Sequence, residues 1–566
     1  MALTSLLAVV YPVQADDHWW HMLTGRYLLD HGVVPRTDPF SFTYRGEPWV
    51  NWEWLGGLAM TSAFDGLGPA GLVVLRLAAV AATVVVLWRH LRRIEGAPRP
   101  AAPLLALMLL GLCVLVIFGR VGDRPHLYAV PFLAAAHHLS VQAAHRRDPR
   151  PIVVLLGLMT VWVVLHPSWL LGLLVATAVW IDQWRRDPRG HGTRGGAADR
   201  WCYRLAPLLL ALPGLLLVGS SDYGSALARL LTSSDLREWQ PLWAYLHWTN
   251  VPLLAFLVLT GGWLALLVAE RRLLRELTVW LITAVLVASW WFVRFTPLFA
   301  VLAVPVLAER ALRRWSSVEL PRRTLNLALI LAGLGLLLVT LLARSVYRRE
   351  LAVEVDPRAN PVAVADFMAR HRLDGNVWCS ELTSHAFLAF RGYPATRTYI
   401  DGRIPQLFPE SFLREYRDGR ASPQRFGALL DRDDLDHVVI LEMFRPEVAP
   451  LVAVLHARRE YVLLHVDDHH MLWSRIRPGG TSLPSPYQVL VPPLIDDRWF
   501  ADALRPEYFP VALREVTQLL REQPASVVGR TLVAALLQHP AATDEQRVAL
   551  RRLGASGAGG TGSRVP

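Results

Sequence analysis

Long apolar runs constrain the fold of this 566-residue chain more than any other feature. A helix needs about 20 apolar residues to cross a bilayer, because the hydrocarbon core is about 30 Å thick and a helix rises about 1.5 Å per residue. The uninterrupted apolar runs are 69–90, 101–119, 125–144, 204–221, 250–269, 277–293, 295–311 and 324–343. A further apolar stretch, 151–184, is interrupted by His166-Pro167-Ser168, which indicates two short spans that meet at one membrane face.

The first 15 residues are also apolar, but they are short for a span. Val13-Gln14-Ala15 resembles the cleavage site of a signal peptide, yet no basic residue precedes the apolar run as it would in such a peptide. We therefore favour a first span, which gives a polytopic α-helical membrane protein of about 11 spans. A hydrophobic content of 53% and a mean hydropathy of +0.31 agree, because both are too high for a soluble chain of this length.

Arginine clusters give the orientation of these spans. The net charge is +11, every basic residue is arginine, and the clusters fall in every second predicted loop. Cytoplasmic loops carry an excess of basic residues, so an inside N-terminus places all the clusters in the cytoplasm at once. The basic excess therefore indicates membrane topology rather than nucleic-acid binding. The clusters are Arg89, Arg92, Arg93 and Arg99; Arg146, Arg147 and Arg150; Arg185, Arg186, Arg189 and Arg194; Arg271, Arg272 and Arg275; and Arg310, Arg313, Arg314, Arg322 and Arg323.

The alternate loops then lie outside, together with everything after residue 344. These loops hold most of the acidic and histidine side chains near the membrane, so this orientation gathers the polar chemistry on one face. The orientation was derived from arginine alone, so this gathering supports it independently. The outer segments are 16–54, 119–124, the turn at His166, 222–249 and Arg294.

After residue 344 the pattern changes from spans to short alternating elements. Apolar runs at 377–379, 398–400, 437–441 and 461–465 predict strands, and 360–371 and 446–457 predict helices, so 344–480 forms a soluble α/β domain. The segment 481–553 predicts a helical extension, and 554–566 is a disordered tail rich in glycine. The membrane domain is then 1–343, with 16–54 as its first outer loop.

Asp16 and Asp17 open the first outer loop, in the sequence D-D-H-W-W-H. A carboxylate at the membrane interface can accept a proton from a hydroxyl as a general base. The same residues could instead cap a helix beside tryptophans at the headgroup level. His18 and His21 would share one face of a helix and could ligate a metal, but no clear third ligand accompanies them, so no metal site is predicted.

Two arginines, Arg120 and Arg124, occupy a short outer turn against the charge bias. An anion must balance them, and the candidates are a lipid phosphate, lipid headgroups and Asp123. In the soluble part, Asp401-Gly402-Arg403 after a strand could serve a site, but a turn with an internal ion pair is favoured. Further candidate binding residues on the outer face are His21, Glu53, His126, His166, Glu238 and Arg294.

Several motifs resemble the C-type (GT-C) glycosyltransferases, which are integral-membrane enzymes that use polyprenyl-phosphate-linked sugars and include relatives of the protein mannosyltransferases and the aminoarabinose transferases. More closely, they resemble a bacterial group of membrane proteins beside that superfamily, over residues 15–475. The superfamily often has an acidic pair followed by residues other than the H-W-W-H of this chain, and the first span is unusually short. The motifs are D-x-x-W-H, T-G-x-x-L-x-x-H-G, P-R-T-D-P-F-S, P-W-x-x-x-E-W-L, R-P-H-L, L-H-x-x-x-L-x-G, R-E-W-x-P and Y-I-D-G-R.

The resemblance implies a catalytic base at Asp17, with Asp16 as the second choice, and a phosphate held by Arg124, Arg120 and Arg294. It implies an inverting sugar transferase in the bacterial cytoplasmic membrane, with its C-terminal domain outside the cytoplasm. The partners are then a polyprenyl-phosphate sugar donor, a glycan, lipid or protein acceptor and membrane lipid. No cofactor is expected, although a divalent cation is compatible with the acidic motif. The alternatives are a non-enzymatic scaffold of an envelope assembly and a transporter or flippase for a lipid-linked glycan.

Overall fold

The chain forms two compact units in a computed structural model. Unit 1 comprises Met1–Arg36 and Val50–Glu354, and unit 2 comprises Thr37–Trp49 and Val355–Pro566. Each unit is described by itself below. The described residues are 2–14, 17–94, 102–120, 122–146, 150–186, 197–218, 240–245, 247, 249–314, 321–404, 406–441, 447–458, 460–477, 487, 506–540 and 542–555.

Unit 1 is built from helices. A helix lies at each apolar run predicted between residues 69 and 343, and the run 151–184 consists of two helices separated around His166, as its break predicts. The described helices are α1 (Ala2–Val9), α2 (His18–His31), α3 (Trp54–Leu67), α4 (Pro69–Ile94), α5 (Ala102–Phe118), α6 (His126–Arg146), α7 (Arg150–Val163), α8 (Trp169–Arg186), α9 (Ala197–Val218), α10 (Val251–Ala269), α11 (Leu277–Trp291), α12 (Thr296–Arg314) and α13 (Arg322–Val346).

Four helices of the described part are long and apolar enough to cross a membrane by themselves, at Pro69–Arg93, Val251–Ala269, Val293–Arg314 and Arg322–Val346. Shorter apolar helices lie at other predicted spans, such as Arg150–Val163 and Leu277–Trp291. Helix α1 has 8 residues and is therefore about 12 Å long, which is too short to cross alone. The total of 11 spans stays a prediction.

A buried ion pair fixes the turn before α6 within unit 1. The guanidinium of Arg76 on α4 binds Asp123 through two bonds, Nε–Oδ1 at 2.6 Å and Nη2–Oδ2 at 2.8 Å. Its Nη1 also donates to the carbonyl oxygens of Val9 and Tyr11 at 3.0 and 2.9 Å. Because Arg76 is fully buried, these partners replace the water it loses. Asp123 is therefore engaged by Arg76, and not by the two arginines of its own turn.

Unit 2 contains a five-stranded mixed sheet in the order β2-β1-β3-β5-β4. β1 pairs in parallel with β2 and β3, whereas β5 pairs antiparallel with β3 and β4. Three of the four predicted apolar runs lie within β1, β3 and β4, whereas the run 398–400 meets β2 only at Thr398, because β2 pairs with β1 from Thr396 to Thr398. Asp467 and Asp468 lie in the hairpin turn between β4 and β5. The strands are β1 (Gly375–Cys379), β2 (Thr396–Thr398), β3 (His437–Leu441), β4 (Tyr461–Val466) and β5 (His470–Arg475).

Helices surround the sheet and continue into the C-terminal extension, where helices were predicted. Asp468 of the hairpin turn accepts hydrogen bonds from the backbone N–H groups of Val527 and Val528, both at 3.0 Å, and thereby caps a helix of the extension. The predicted tail lies outside the described residues from 556 onward. The helices are α14 (Val362–His371), α15 (Leu382–Gly392), α16 (Glu410–Ala421), α17 (Pro423–Arg432), α18 (Ala449–Ala457), α19 (Phe509–Glu522), α20 (Val527–Leu537) and α21 (Asp544–Ala555).

The middle of the first outer loop, Thr37–Trp49, folds as part of unit 2 and not with the rest of the loop. Arg403 binds Asp401 through two bonds and donates from Nη1 to Asp38 Oδ1 at 2.7 Å, and all three side chains are fully buried. Asp38 also accepts bonds from the backbone N–H groups of Phe40 and Ser41. The two motifs P-R-T-D-P-F-S and Y-I-D-G-R are therefore one ionic cluster, which includes the internal ion pair favoured from the sequence.

Candidate active site

Close packing of α2 against α3 positions the first group of polar residues. Gly57 of α3 approaches the backbone of His21, and a Cβ at Gly57 would lie 3.0 Å from the His21 carbonyl carbon and would overlap its oxygen. Thr61, one turn later, donates to the carbonyl oxygens of Met22 and Gly57 at 2.7 and 2.9 Å. Only glycine permits this contact. It brings His21 on α2 beside the residue that precedes α3, which is Glu53.

Glu53 lies between two histidines that are far from it in sequence. Its Oε2 is 3.3 Å from Nε2 of His21, and its Oε1 is 3.4 Å from Nε2 of His166. Nδ1 of His166 accepts the backbone N–H of Ser168 at 3.1 Å, so in the neutral imidazole Nε2 carries the hydrogen and faces Glu53. We call Glu53, His21 and His166 the carboxyl–histidine triad.

The triad is buried, and burial dominates its protonation. Desolvation raises the pKa of Glu53 to about 8; the nearby Asp17 also raises it, while Arg294 and Arg124 lower it. Desolvation holds the pKa of His21 and of His166 well below 6.5, with further lowering by neighbouring positive charges. These shifts describe a triad that carries no net charge at neutral pH.

Asp17 lies immediately before α2 and forms an ion pair with Arg124. Its Oδ2 is 3.2 Å from Nη2 of Arg124, and about a quarter of each side chain is exposed to solvent, 27% and 21%. Asp17 makes no side-chain capping bond to α2. The N-terminal end of α2 and the turn before α6 are therefore joined by a partly solvated pair of opposite charges.

A cavity of about 240 Å³ lies beside these residues, within unit 1. Four apolar residues, Ala129, Val130, Pro297 and Leu298, contribute to its wall. The polar residues that line it are Arg120, Arg124, His126, His166, Ser168 and Arg294.

The charges around the cavity favour an anion. Arg120, Arg124 and Arg294 contribute three positive charges, and Asp17 opposes one of them. Asp123 is paired with Arg76, so the neutralisation of Arg120 and Arg124 by Asp123 that the sequence left open does not occur. A cavity with a surplus of arginine and hydrogen-bonding histidine is suited to phosphate, because the guanidinium group offers paired donors to its oxygens.

A second cavity of about 220 Å³ shares Gly119 and Arg120 with the first. Its other walls are largely apolar and aromatic, including Leu242, Tyr245 and Phe256. The guanidinium carbon of Arg120 lies 5.9 Å from the centre of the Tyr245 ring. Arg120 therefore borders both a polar and a largely apolar space.

Of the ten site residues chosen from sequence, eight lie in the described part, all in unit 1. Arg120, Arg124, His126, His166 and Arg294 line the polar cavity, whereas Asp17, His21 and Glu53 contact those lining residues or each other. Asp16 and Glu238 lie outside the described residues. Arg76 was missed, and its signal was an arginine inside an apolar span, which must have a buried partner.

Metal binding has no support in the described residues. Within them, no group of three or more histidine, cysteine, aspartate or glutamate side chains is arranged to hold a metal ion. His18 lies against Trp19, with ring centres 4.3 Å apart, whereas His21 faces Glu53. The requirement for a divalent cation stays untested.

Comparison with solved structures shows which known protein shares this fold. ArnT from Cupriavidus metallidurans, solved bound to undecaprenyl phosphate, superposes with a TM-score of 0.52 at 12% identity, over 85% of this chain and 98% of that one. The chain therefore has the fold of ArnT. This agrees with the fold that the motif resemblance implies.

Two other structures are less similar. The archaeal oligosaccharyltransferase AglB from Archaeoglobus fulgidus, in complex with an inhibitory peptide and a dolichol-phosphate, gives a TM-score of 0.44 at 12% identity, over 95% of this chain and 84% of that one. The arabinofuranosyltransferase AftD from Mycobacteria gives 0.49 at 13% identity, over 84% of this chain and 41% of that one. No protein-family model and no curated protein matches the chain. At these identities the likeness concerns the fold alone.

Proposed function

We propose that this membrane protein transfers a sugar from a polyprenyl-phosphate donor to an acceptor hydroxyl at the outer face of the bacterial cytoplasmic membrane. The observation that carries the proposal is the convergence of Arg120, Arg124 and Arg294 on one cavity, with the carboxylate of Asp17 paired to Arg124. The shared fold with a protein solved with undecaprenyl phosphate supports the class of donor.

The donor phosphate would bind at the arginines and compete with Asp17 for Arg124. Arginine binds phosphate oxygens with paired, charge-assisted hydrogen bonds, so a phosphate in the cavity is a strong competitor for a partly solvated carboxylate. Its arrival would release Asp17 toward the acceptor. Donor binding would therefore itself make the base available to the acceptor.

In the reaction, the acceptor oxygen attacks the anomeric carbon of the sugar while Asp17 takes its proton. The bond between the anomeric carbon and the phosphate oxygen breaks, and the configuration inverts. The polyprenyl phosphate leaves with one additional negative charge. The arginines stabilise this charge, and such a contribution is worth about 3–4 kcal/mol for a well-placed donor.

The charge distribution of the loops supports the outer location, because the arginine clusters lie in the alternate loops and cytoplasmic loops carry an excess of basic residues. Thr37–Trp49 and the sheet domain belong to one folded unit, so these two parts of the chain must be in the same compartment. If the first loop lies outside the cytoplasm, the C-terminal domain must therefore lie outside as well. A reporter fused after Ile476 that behaves as cytoplasmic would overturn this orientation.

Replacement of Asp17 by asparagine tests the base directly. The substitution keeps the size and removes the proton acceptor, so turnover should fall by about 100-fold or more. Donor binding should remain, because the phosphate is assigned to arginines. The matched control is Asp65→Asn, since Asp65 is on α3, is paired with Arg26 at 2.5 Å and does not line the cavity.

The outcomes separate the alternatives. Normal transfer in Asp17→Asn together with inactive Asp16→Asn would move the role to Asp16. Normal transfer in both variants would reject general-base catalysis by this motif. A chain that binds no polyprenyl phosphate and transfers no sugar would favour the scaffold, whereas one that moves a lipid-linked glycan across vesicles without transfer would favour the flippase.

A further inference from the structure

The carboxyl–histidine triad borders the arginine cavity and is not used by the reaction above. His166 belongs to both, because it lines the cavity and contacts Glu53 at 3.4 Å. Glu53 is 8% exposed and His21 is 4% exposed, so neither exchanges readily with bulk water. A buried carboxyl group beside a phosphate site must have a defined charge, because two adjacent anions in a nonpolar environment repel strongly.

The contacts of the two histidines indicate where the proton of the triad lies. The backbone N–H of Ser168 occupies Nδ1 of His166, so Nε2 carries the hydrogen of the neutral ring, and it lies 3.4 Å from Oε1 of Glu53. One proton then remains to be placed between Oε2 of Glu53 and Nε2 of His21, which are 3.3 Å apart. If it is on the oxygen, all three groups are neutral; if it is on the nitrogen, the two charges cancel. The triad is neutral in either arrangement.

We propose that the arginine cavity binds the donor phosphate only while the triad is in this proton-carrying, neutral form, so that donor binding is coupled to proton retention by Glu53 and His21. The inference rests on the proposed function, because it takes the cavity as the phosphate site. Loss of the proton places a second carboxylate charge near that of Asp17. Two carboxylates would then compete with the phosphate for the arginines.

The groups that face Glu53 come from four parts of unit 1. Asp17 immediately before α2 and His21 on α2 face it, as do Arg124 from the turn before α6, His166 from the α7–α8 turn and Arg294 from the segment before α12. The histidines stay neutral as the pH rises above 7, and desolvation lowers the pKa of Arg294 only to about 10, which is above that of Glu53. The proton shared by Glu53 and His21 is therefore the first to leave as the pH rises above 7.

The expected pH dependence follows from linkage. With a Glu53 pKa of about 8 in the free protein, and with the proton kept in the bound state, the apparent Kd at pH 9.5 should exceed that at pH 7 by about 30-fold. Below pH 7 the affinity should be nearly constant. Affinity is thus present at neutral pH and lost as the pH rises through 8.

The probe is a short-chain isoprenyl methyl phosphodiester, because a diester keeps a single charge over this range, as the sugar donor does. Its binding to the full-length chain in detergent is measured by titration calorimetry between pH 6.5 and pH 9.5. Glu53→Gln is permanently neutral, so it should bind the probe with an affinity that changes little with pH. Glu47→Gln, an exposed glutamate of unit 2, should behave like the native chain.

A second measurement on the native chain needs no substitution. At pH 8 the free triad is about half protonated, so binding should take up about half a proton, which is obtained from titrations in two buffers of different ionisation enthalpy. No proton uptake, or a pH dependence that persists in Glu53→Gln, would overturn the coupling. So would a folded Glu53→Gln that no longer binds. Failure of the native chain to bind the probe at any pH would instead reject the phosphate site itself.

Discussion

Gly57→Ala tests whether the contact between α2 and α3 sets the geometry of the site. The added Cβ would overlap the backbone oxygen of His21 and would lie 3.0 Å from its carbonyl carbon, which is shorter than the ordinary contact distance of 3.4–4 Å. Both atoms belong to helix backbones, so no side chain can turn away to relieve the overlap. The two helices must separate by about 1 Å.

This displacement acts directly on the pair of Glu53 and His21, which are 3.3 Å apart across the same helix contact. The base Asp17 lies directly before α2, so the same separation also displaces it. A shift of about 1 Å in a positioned group can cost about 100-fold in rate, so sugar transfer by Gly57→Ala should fall by roughly that factor. The increase in the Kd of the phosphodiester between pH 7 and pH 9.5 should also shrink. The chain should be less stable by about 1–3 kcal/mol, as overpacked cores are.

Transfer and binding are measured below the unfolding temperature of the variant, which tryptophan fluorescence reports. The matched control is Gly66→Ala on the same helix, where an added Cβ would meet nothing within 4 Å. Alanine there improves the helix by about 0.5–1 kcal/mol, so activity should be unchanged and stability equal or higher. Native transfer and native pH dependence in Gly57→Ala would refute this account of how the site is positioned.

Two further substitutions test the phosphate site and the fold of unit 2. Arg124→Ala should weaken phosphodiester binding at least tenfold at low salt. Arg26→Ala, which removes an arginine paired with Asp65, should leave the affinity unchanged. Equal affinities of Arg124→Ala and the native chain for the phosphodiester would remove Arg124 from the site. Arg403→Met should destabilise unit 2 by about 3–5 kcal/mol, because two buried carboxylates lose their shared partner. Additional replacement of Asp38 and Asp401 by asparagine should restore much of the thermal stability. An unchanged unfolding temperature in the single variant would show that the cluster contributes little.

The sequence predicted which residues gather at the site better than it predicted their contacts with one another. Positive-inside bias assigns loops to a face, so Arg120, Arg124 and Arg294 could be grouped although more than 170 residues separate the first from the last. The interrupted run at His166 likewise predicted a turn, since proline and a polar residue end a span. These signals are local or periodic, and a single sequence contains them.

Pairing within the face could not be obtained in this way. Glu53 and His21 are 32 positions apart, and only the glycine contact between two helices brings them together. Asp123 was a plausible partner for the arginines beside it, but its partner is Arg76, 47 positions earlier. Sequence proximity is a poor guide to ion pairs in a membrane protein, because a buried guanidinium competes more strongly for a carboxylate than a partly solvated one.

The first outer loop shows the same limit at the level of domains. The loop was assigned as a whole to the membrane domain, yet Thr37–Trp49 folds with the sheet domain. Asp38 accepts backbone hydrogen bonds from Phe40 and Ser41, as a residue that caps its own turn does. Its bond to Arg403, 365 residues away, is what decides the domain, and nothing in the local pattern indicates it.

The two carboxyl groups of the site begin in different states, and a phosphate would act on them in opposite ways. Asp17 is partly exposed and paired with Arg124, whereas Glu53 is kept near neutrality by burial. A phosphate that takes Arg124 removes the cation beside Asp17 and so makes that carboxylate a better proton acceptor. The same negative charge favours the protonated form of Glu53. One binding event would thus make Asp17 a stronger base and keep Glu53 neutral. Proton-transfer chemistry at neutral pH requires such a pair, in which one carboxyl group is ionised and the other is protonated.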